Sequence, residues 1–260
     1  MIDVKFAEKE FERFLDEYNR DDEKVKLKII HTYGVVACME QICKRMNLDQ
    51  EDCDLAKIVA LLHDIGRFEQ IKRFDSFMPD TMDHATYGVE LLFGEEQMIR
   101  RFVKDNKWDD IIRIAIAKHS DYKIGEIENE RCLLHARLIR DADKLDNCRV
   151  KLEESIEVML GANEEEVGKT EISDVIWDYC LKNEAILSKD RITLVDYWVS
   201  YVAYFFDINF KETFEIIQEE DYVDRIIFRI PYTNEKTKRM MSLLASRVKI
   251  YIEQYIKSEK

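Results

Sequence analysis

Apolar residues recur along this chain at intervals of three and four, and little in the sequence interrupts them. Only 2 prolines and 7 glycines occur in 260 residues, too little turn chemistry for the many short strands of an all-β protein. Leu, Ile, Ala, Glu and Lys fill the periodic stretches, and these residues favour helices. The chain is expected to be all-α. Hydrophobic residues make up 46%, which supports a sizeable core and argues against disorder.

Val4, Ala7, Phe11, Phe14, Leu15 and Tyr18 mark a first helix over 4–18, ended by "NRDDEK". A second, over 25–46, follows Leu27, Ile30, Val35, Cys38 and Ile42. A third, over 52–65, runs into "LLHDIGRFEQ" (61–70), where Gly66 suits a left-handed C-terminal position. Residues 68–80 read as a loop closed by Pro79, with a short helix at 83–93. Further helices are expected near 96–104, 108–119, 130–160, 171–188, 192–207 and 234–257. "YVDRIIFRI" (222–230) fits strand or helix, and helix is favoured because no second strand pattern exists to pair with it. Residues 1–260 read as one all-helical unit, in which "GANEEEVGKTE" (161–171) is the candidate boundary of a C-terminal appendage, 161–260, packed on the core.

The net charge of -14 is spread along the chain. It opposes binding to a nucleic-acid backbone, which needs a basic face. A small phosphorylated substrate stays compatible, because bound cations reverse the local field. Cys38, Cys43, Cys53, Cys132, Cys148 and Cys180 form no CxxC pair and read as reduced core residues of a cytoplasmic protein. "MIDVKFAEKE" lacks a secretory apolar region, and the most apolar stretch, 192–206, is interrupted by Asp196 and too short for a bilayer. No membrane association is expected.

Five histidines carry the functional signal. His31 continues the buried stripe of Leu27, Ile30, Val35 and Cys38; His63 follows Leu55, Val59 and Leu62. His119 extends Trp108, Ile112, Ala115 and Ile116, and His84 opens a helix whose inner face runs through Gly88, Leu91 and Leu92. Four helices thus each point an imidazole inward. One such ring is ordinarily a satisfied core residue, and His63-Asp64 alone reads equally as a helix end. Four together are costly to bury unless something shared binds their ring nitrogens. In "LIRDADKLD" (138–146), Asp143 lies on the side of Ile139 and Cys132, while Asp141 and Asp146 crowd nearby. Three aspartates form either a solvated face or the carboxylate part of a metal site. Imidazole with carboxylate suits a divalent transition metal.

The order His31, His63-Asp64, Asp143 resembles the HD-domain superfamily of metal-dependent phosphohydrolases, whose signature is H…HD…D on separate helices. "KIIHTYGVV", "LLHDIGRFEQ", "DHATYGVELLF" and "IRDADKLD" all read like segments of bacterial HD proteins. The resemblance covers roughly 24–150 and implies an HD metal-binding core there, an all-α bundle with additional C-terminal helices. It implies a first metal at His31, His63, Asp64 and Asp143. His84 and His119 look like the subset that holds a second metal, bridged by Asp64. The implied cofactors are one or two divalent ions (Mn, Fe, Co, Mg or Zn). The implied reaction is attack by a metal-bridging hydroxide on a phosphoester or phosphoanhydride of a small, nucleotide-like substrate. His135 has no place in the pattern and reads as a core, surface or supporting residue.

Asp64 is a candidate catalytic residue, and Arg67, just past the HD pair, and Lys144, adjacent to Asp143, are candidate fixed cations. Arg67 equally complements a helix C-terminus, and Lys144 equally pairs with Asp141. Lys28 and Arg140 are weaker candidates. Glu69, Asp80 and Asp83 are candidate general acids, with Asp83 fitting equally as an N-cap. Tyr197, Trp198, Tyr201, Tyr204, Phe205 and Phe206 offer a face for a nucleobase, though core is the favoured reading. Two alternatives accompany hydrolysis: a di-iron oxygenase of the HD fold, and a nucleotide-sensing module without turnover. The Glu-Asp pair of guanosine-polyphosphate hydrolases and the GYP tripeptide of the cyclic-dinucleotide group are both absent.

Overall fold

The computed structural model describes residues 2–78 and 81–258, and among them no strand occurs. The chain divides into two compact units, Met1–Asp146 and Asn147–Lys260. The first contains α1 (Val4–Leu15), α2 (Glu23–Arg45), α3 (Gln50–Leu62), α4 (Ile65–Phe74), α5 (His84–Phe93), α6 (Ile99–Phe102) and α7 (Asp109–Lys118). The division falls within α8 (Glu130–Glu153). Aspartates start several helices: Asp3, Asp22, Asp49 and Asp83 each accept backbone N–H groups of the first turn. That local chemistry fixes where the helices begin. Helix α2 packs on α3 and α4, α3 on α1 and α7, and α5 on α4 and α7. Phe11, Phe14, Met39, Ile42, Leu55, Ile58, Phe68 and Ile112 fill the space between them.

The turn after His63 differs from the sequence expectation. Gly66 is not a left-handed cap; it lies in the first turn of α4, and 65–74, read as mostly loop, is helical. Phe68 and Ile71 are buried on one face of that helix, and this burial holds the turn pattern through the glycine. Gly66 serves close approach instead. A Cβ there would overlap the His84 carbonyl oxygen and the Gly88 amide of α5. Helix α4 ends at Asp75, which itself takes the left-handed conformation with φ 49°. Pro79 and Asp80 lie outside the described residues.

The second unit contains α9 (Ile156–Leu160), α10 (Glu164–Lys169), α11 (Asp174–Lys182), α12 (Leu194–Val202), α13 (Lys211–Glu219), α14 (Tyr222–Ile227) and α15 (Glu235–Ser258). The single helix expected over 130–160 is two, because Ser155 accepts from the Glu157 and Val158 amides and starts α9 afresh. The ambiguous 222–230 segment is helical over Tyr222–Ile227. Helix α13 is an addition that the periodicity reading missed; it buries Phe214, Ile216 and Ile217 and packs on α14 and α15. The aromatic helix α12 buries Trp198 with Val195, Val199 and Val202, the core role favoured for it. None of the six cysteines forms a disulfide. Among the described residues no helix is long and apolar enough to cross a membrane.

Candidate metal centre

Five helices of the first unit and α8 deliver the candidate ligands to one place. His63 caps the C-terminus of α3 and Asp64 occupies the N-cap of α4, so the helix break itself turns both side chains inward. His31 comes from mid-α2, His84 from the first position of α5, His119 from the C-cap of α7 and Asp143 from α8. Asp64 Oδ1 lies 3.3 Å from His84 Nε2 and 3.5 Å from His119 Nε2. Its Oδ2 lies 3.7 Å from His63 Nε2. Asp143 Oδ1 stands 3.0 Å from His31 Nε2 and 4.0 Å from His63 Nε2. Two buried triads result, His31–His63–Asp64 and Asp64–His84–His119, each with its donor atoms within 4.8 Å of one another. Asp64 belongs to both.

The ring protonation follows from the partners. His63 Nδ1 donates to the Ala60 carbonyl and His119 Nδ1 to the Ile116 carbonyl, both at 2.7 Å. A carbonyl only accepts, so each Nδ1 carries the proton. A neutral ring then has a lone pair on Nε2, facing the cluster. His63 Nε2 is buried and has no hydrogen-bond partner. Burial holds the pKa values of His63 and His84 down to about 4, outweighing their neighbouring carboxylates, so both are neutral near pH 7. Burial alone would raise Asp64 and Asp143. Lys28 and His63 pull Asp64 well below the usual carboxylate range, and His31 and His63 do the same for Asp143.

Asp64 sits where an aspartate normally caps a helix, yet its side chain makes no capping hydrogen bond. Its oxygens are spent on the imidazoles and on Lys28 Nζ at 2.7 Å. An uncapped N-cap aspartate beside an unpartnered buried lone pair is poor core chemistry and suitable ligand chemistry. A divalent cation fits this donor set.

These features agree with the comparison to known families: the HD domain family matches residues 29–148. The chain carries an HD domain. No curated protein and no solved structure matches the chain significantly. An HD domain indicates the superfamily of metal-dependent phosphohydrolases, and the HD family is mostly metal-dependent hydrolases.

Around the HD cluster, several supporting residues were not legible as such in the sequence. Asp146 is buried and lies 2.7 Å from His31 Nδ1. One turn apart on α8, Asp143 and Asp146 hold the two nitrogens of a single ring. Burial and Lys28 push His31 downward, but these carboxylate bonds prevail and its pKa is raised. Gly34, one turn beyond His31, makes room for this: a Cβ there would overlap the Asp146 carboxylate. The i,i+3 spacing of the two aspartates and the following glycine were the available signals.

The other sequence candidates fall into distinct places. Arg67 donates from one terminal nitrogen to Gln70 Oε1 at 2.7 Å and to the Phe77 carbonyl at 3.1 Å, while its Nε faces Asp64 Oδ1 at 3.6 Å. Lys144 donates to the Arg140 carbonyl at 3.4 Å. Arg140 is buried and binds the Lys118 and Asp121 carbonyls, closing the C-terminus of α7 beside His119. Asp83 takes its capping option. Glu69 is engaged by Arg73 and Tyr18. His135 lies away from the cluster ligands in bonding terms, with Nε2 2.9 Å from Asp52 Oδ1.

Proposed function

We propose that this HD domain is a metal-dependent phosphohydrolase that cleaves a phosphoester or phosphoanhydride of a small, nucleotide-like substrate. The observation that carries the reading is the pair of triads sharing Asp64, in which His63 and His119, protonated on Nδ1, turn Nε2 toward the cluster. His31, His63, Asp64 and Asp143 would hold one divalent ion, and Asp64, His84 and His119 a second. Such ions supply an acidified water and neutralisation of phosphoryl charge.

The chain's own residues do the rest. Lys28, on Asp64, is a fixed positive charge for a phosphoryl oxygen, and Arg67 offers a guanidinium beside the same carboxylate. Asp146 keeps His31 oriented. Side-chain exposure is 17% at Lys28, 18% at Arg67 and 23% at Asp143, against 0% at His63. Substrate therefore enters past Lys28, Arg67 and Asp143, while the imidazoles stay shielded from water. No serine or cysteine nucleophile is required by this arrangement. The test is a screen of phosphorylated metabolites with added Mn, Fe, Co, Mg or Zn, run beside Asp64→Asn. Release of phosphate by the wild type alone supports the reading; equal release by the variant, or none from either, overturns it.

A further inference from the structure

One aromatic ring stands beside Lys28, among the less buried residues around the cluster, and has no part in the hydrolytic chemistry. Lys28 Nζ lies 2.7 Å from Asp64 Oδ2 and 5.6 Å from the centroid of the Phe77 ring. A single ammonium thus spans the shared carboxylate and the aromatic face. Phe77 is half-buried. Its carbonyl accepts from Arg67 at 3.1 Å, so the second cation of the entrance grips the same residue from behind.

The segment bearing Phe77 is anchored from below. Gln70 on α4 is fully buried, and its Nε2 donates to the Met78 carbonyl at 2.9 Å and to Thr81 Oγ1 at 2.8 Å. Its Oε1 accepts from Arg67. The Nε2 end of this buried side chain thus ties Met78 and Thr81 to α4. The main chain that carries the ring is consequently held before any ligand binds, which lowers the cost of using the ring as a platform.

The geometry points to Phe77 as a stacking platform for the planar group of the substrate, with Lys28 at the junction between that group and its phosphate. The matching ligand is a nucleoside monophosphate: a dianionic phosphate for Lys28 and the metal cluster, and a π-face for Phe77. A sugar phosphate lacking a base satisfies only the first half. Stacking on one ring accepts any base, because every base has a π-face. The specificity expected is base against no base, with little choice among bases. For the place of the phosphate, this inference rests on the hydrolase reading given above.

The experiment measures binding separately from turnover. The Mn-loaded protein is titrated with the phosphonate analogues of adenosine monophosphate and ribose 5-phosphate, in which a methylene replaces the ester oxygen. The nucleotide analogue is expected to bind more tightly by about tenfold. In Phe77→Ala the two affinities are expected to converge, and in Phe77→Tyr the preference is expected to persist. Equal affinities in the wild type, an undiminished preference in Phe77→Ala, or no binding of either ligand overturns the inference. Hydrolysis of the parent phosphates is followed in parallel. A Phe77-dependent preference without hydrolysis keeps the platform and removes the hydrolase reading; hydrolysis without the preference does the reverse.

Discussion

Asp64 in the first unit and Asp196 in the second are both buried aspartates in the opening turn of a helix, and their oxygens go to opposite uses. Asp196, in the capping box of α12, accepts from the Thr193 and Ile192 amides, the Ser173 amide and the Ser173 hydroxyl at 2.9–3.0 Å. Two of those donors are amides of the adjoining chain, and the other two belong to Ser173 at the start of α11. Asp64 declines its own helix and turns to side chains from α2, α5 and α7 instead. The difference separates structural from functional burial. Asp196 is closed off by donors that need it; Asp64 faces imidazole nitrogens and one ammonium, a set that a divalent cation fits.

Four measurements would break or sharpen that contrast. The largest effect is expected for Asp64→Asn, with metal-dependent hydrolysis falling by about 10³-fold or more while the melting temperature is held or raised. A large loss of stability would instead make Asp64 a structural residue like Asp196. Next is Asp196→Ala, which strands several donors at once and is expected to cost about 3 kcal/mol in chemical denaturation with no change in metal stoichiometry. Loss of metal there would show that the two aspartates are not separate in function. Third, Asp146→Ala is expected to weaken metal affinity by roughly 10- to 100-fold, since His31 loses its orienting carboxylate. Calorimetry with Mn or Zn reads this directly, and unchanged affinity would leave Asp146 a mere core acid.

The smallest effect concerns pH and lies outside the cluster. His135 is pushed below its ordinary 6.5 by burial, and Asp52 is drawn below 3.8 by His135 and Arg131 against its own burial. In both cases the unfolded chain binds more protons than the folded one, so stability declines on acidification. The His135 contribution is complete above pH 6.5 and fades as pH falls below that value; the Asp52 contribution is complete above pH 3.8 and fades below it. Melting temperatures of wild type and His135→Gln between pH 7 and 5 should therefore converge as the pH drops. Parallel curves would show that His135 takes no part.

Much of this was readable in advance, for a definite reason. Helical spacing reports which face of each segment is buried, and the four imidazoles of His31, His63, His84 and His119 all fell on buried faces. The reading failed where spacing says nothing. Gly66 looked like a stop signal because glycine ends helices locally, whereas here it is small so that α4 can approach α5. Helix α13 was overlooked because charged residues dilute its short apolar stripe, Phe214, Ile216 and Ile217.

What the amino-acid order determined alone is the all-helical class, the inward direction of the histidines and the side-chain types beside them, since each follows from period and side-chain chemistry. Only the packing of helices decided that Asp146 rather than Asp141 orients His31, that Gly34 must leave space for it, and that Phe77 stands beside Lys28. These are meetings of residues far apart in the chain. Their distances depend on how helices cross, a quantity no local period encodes.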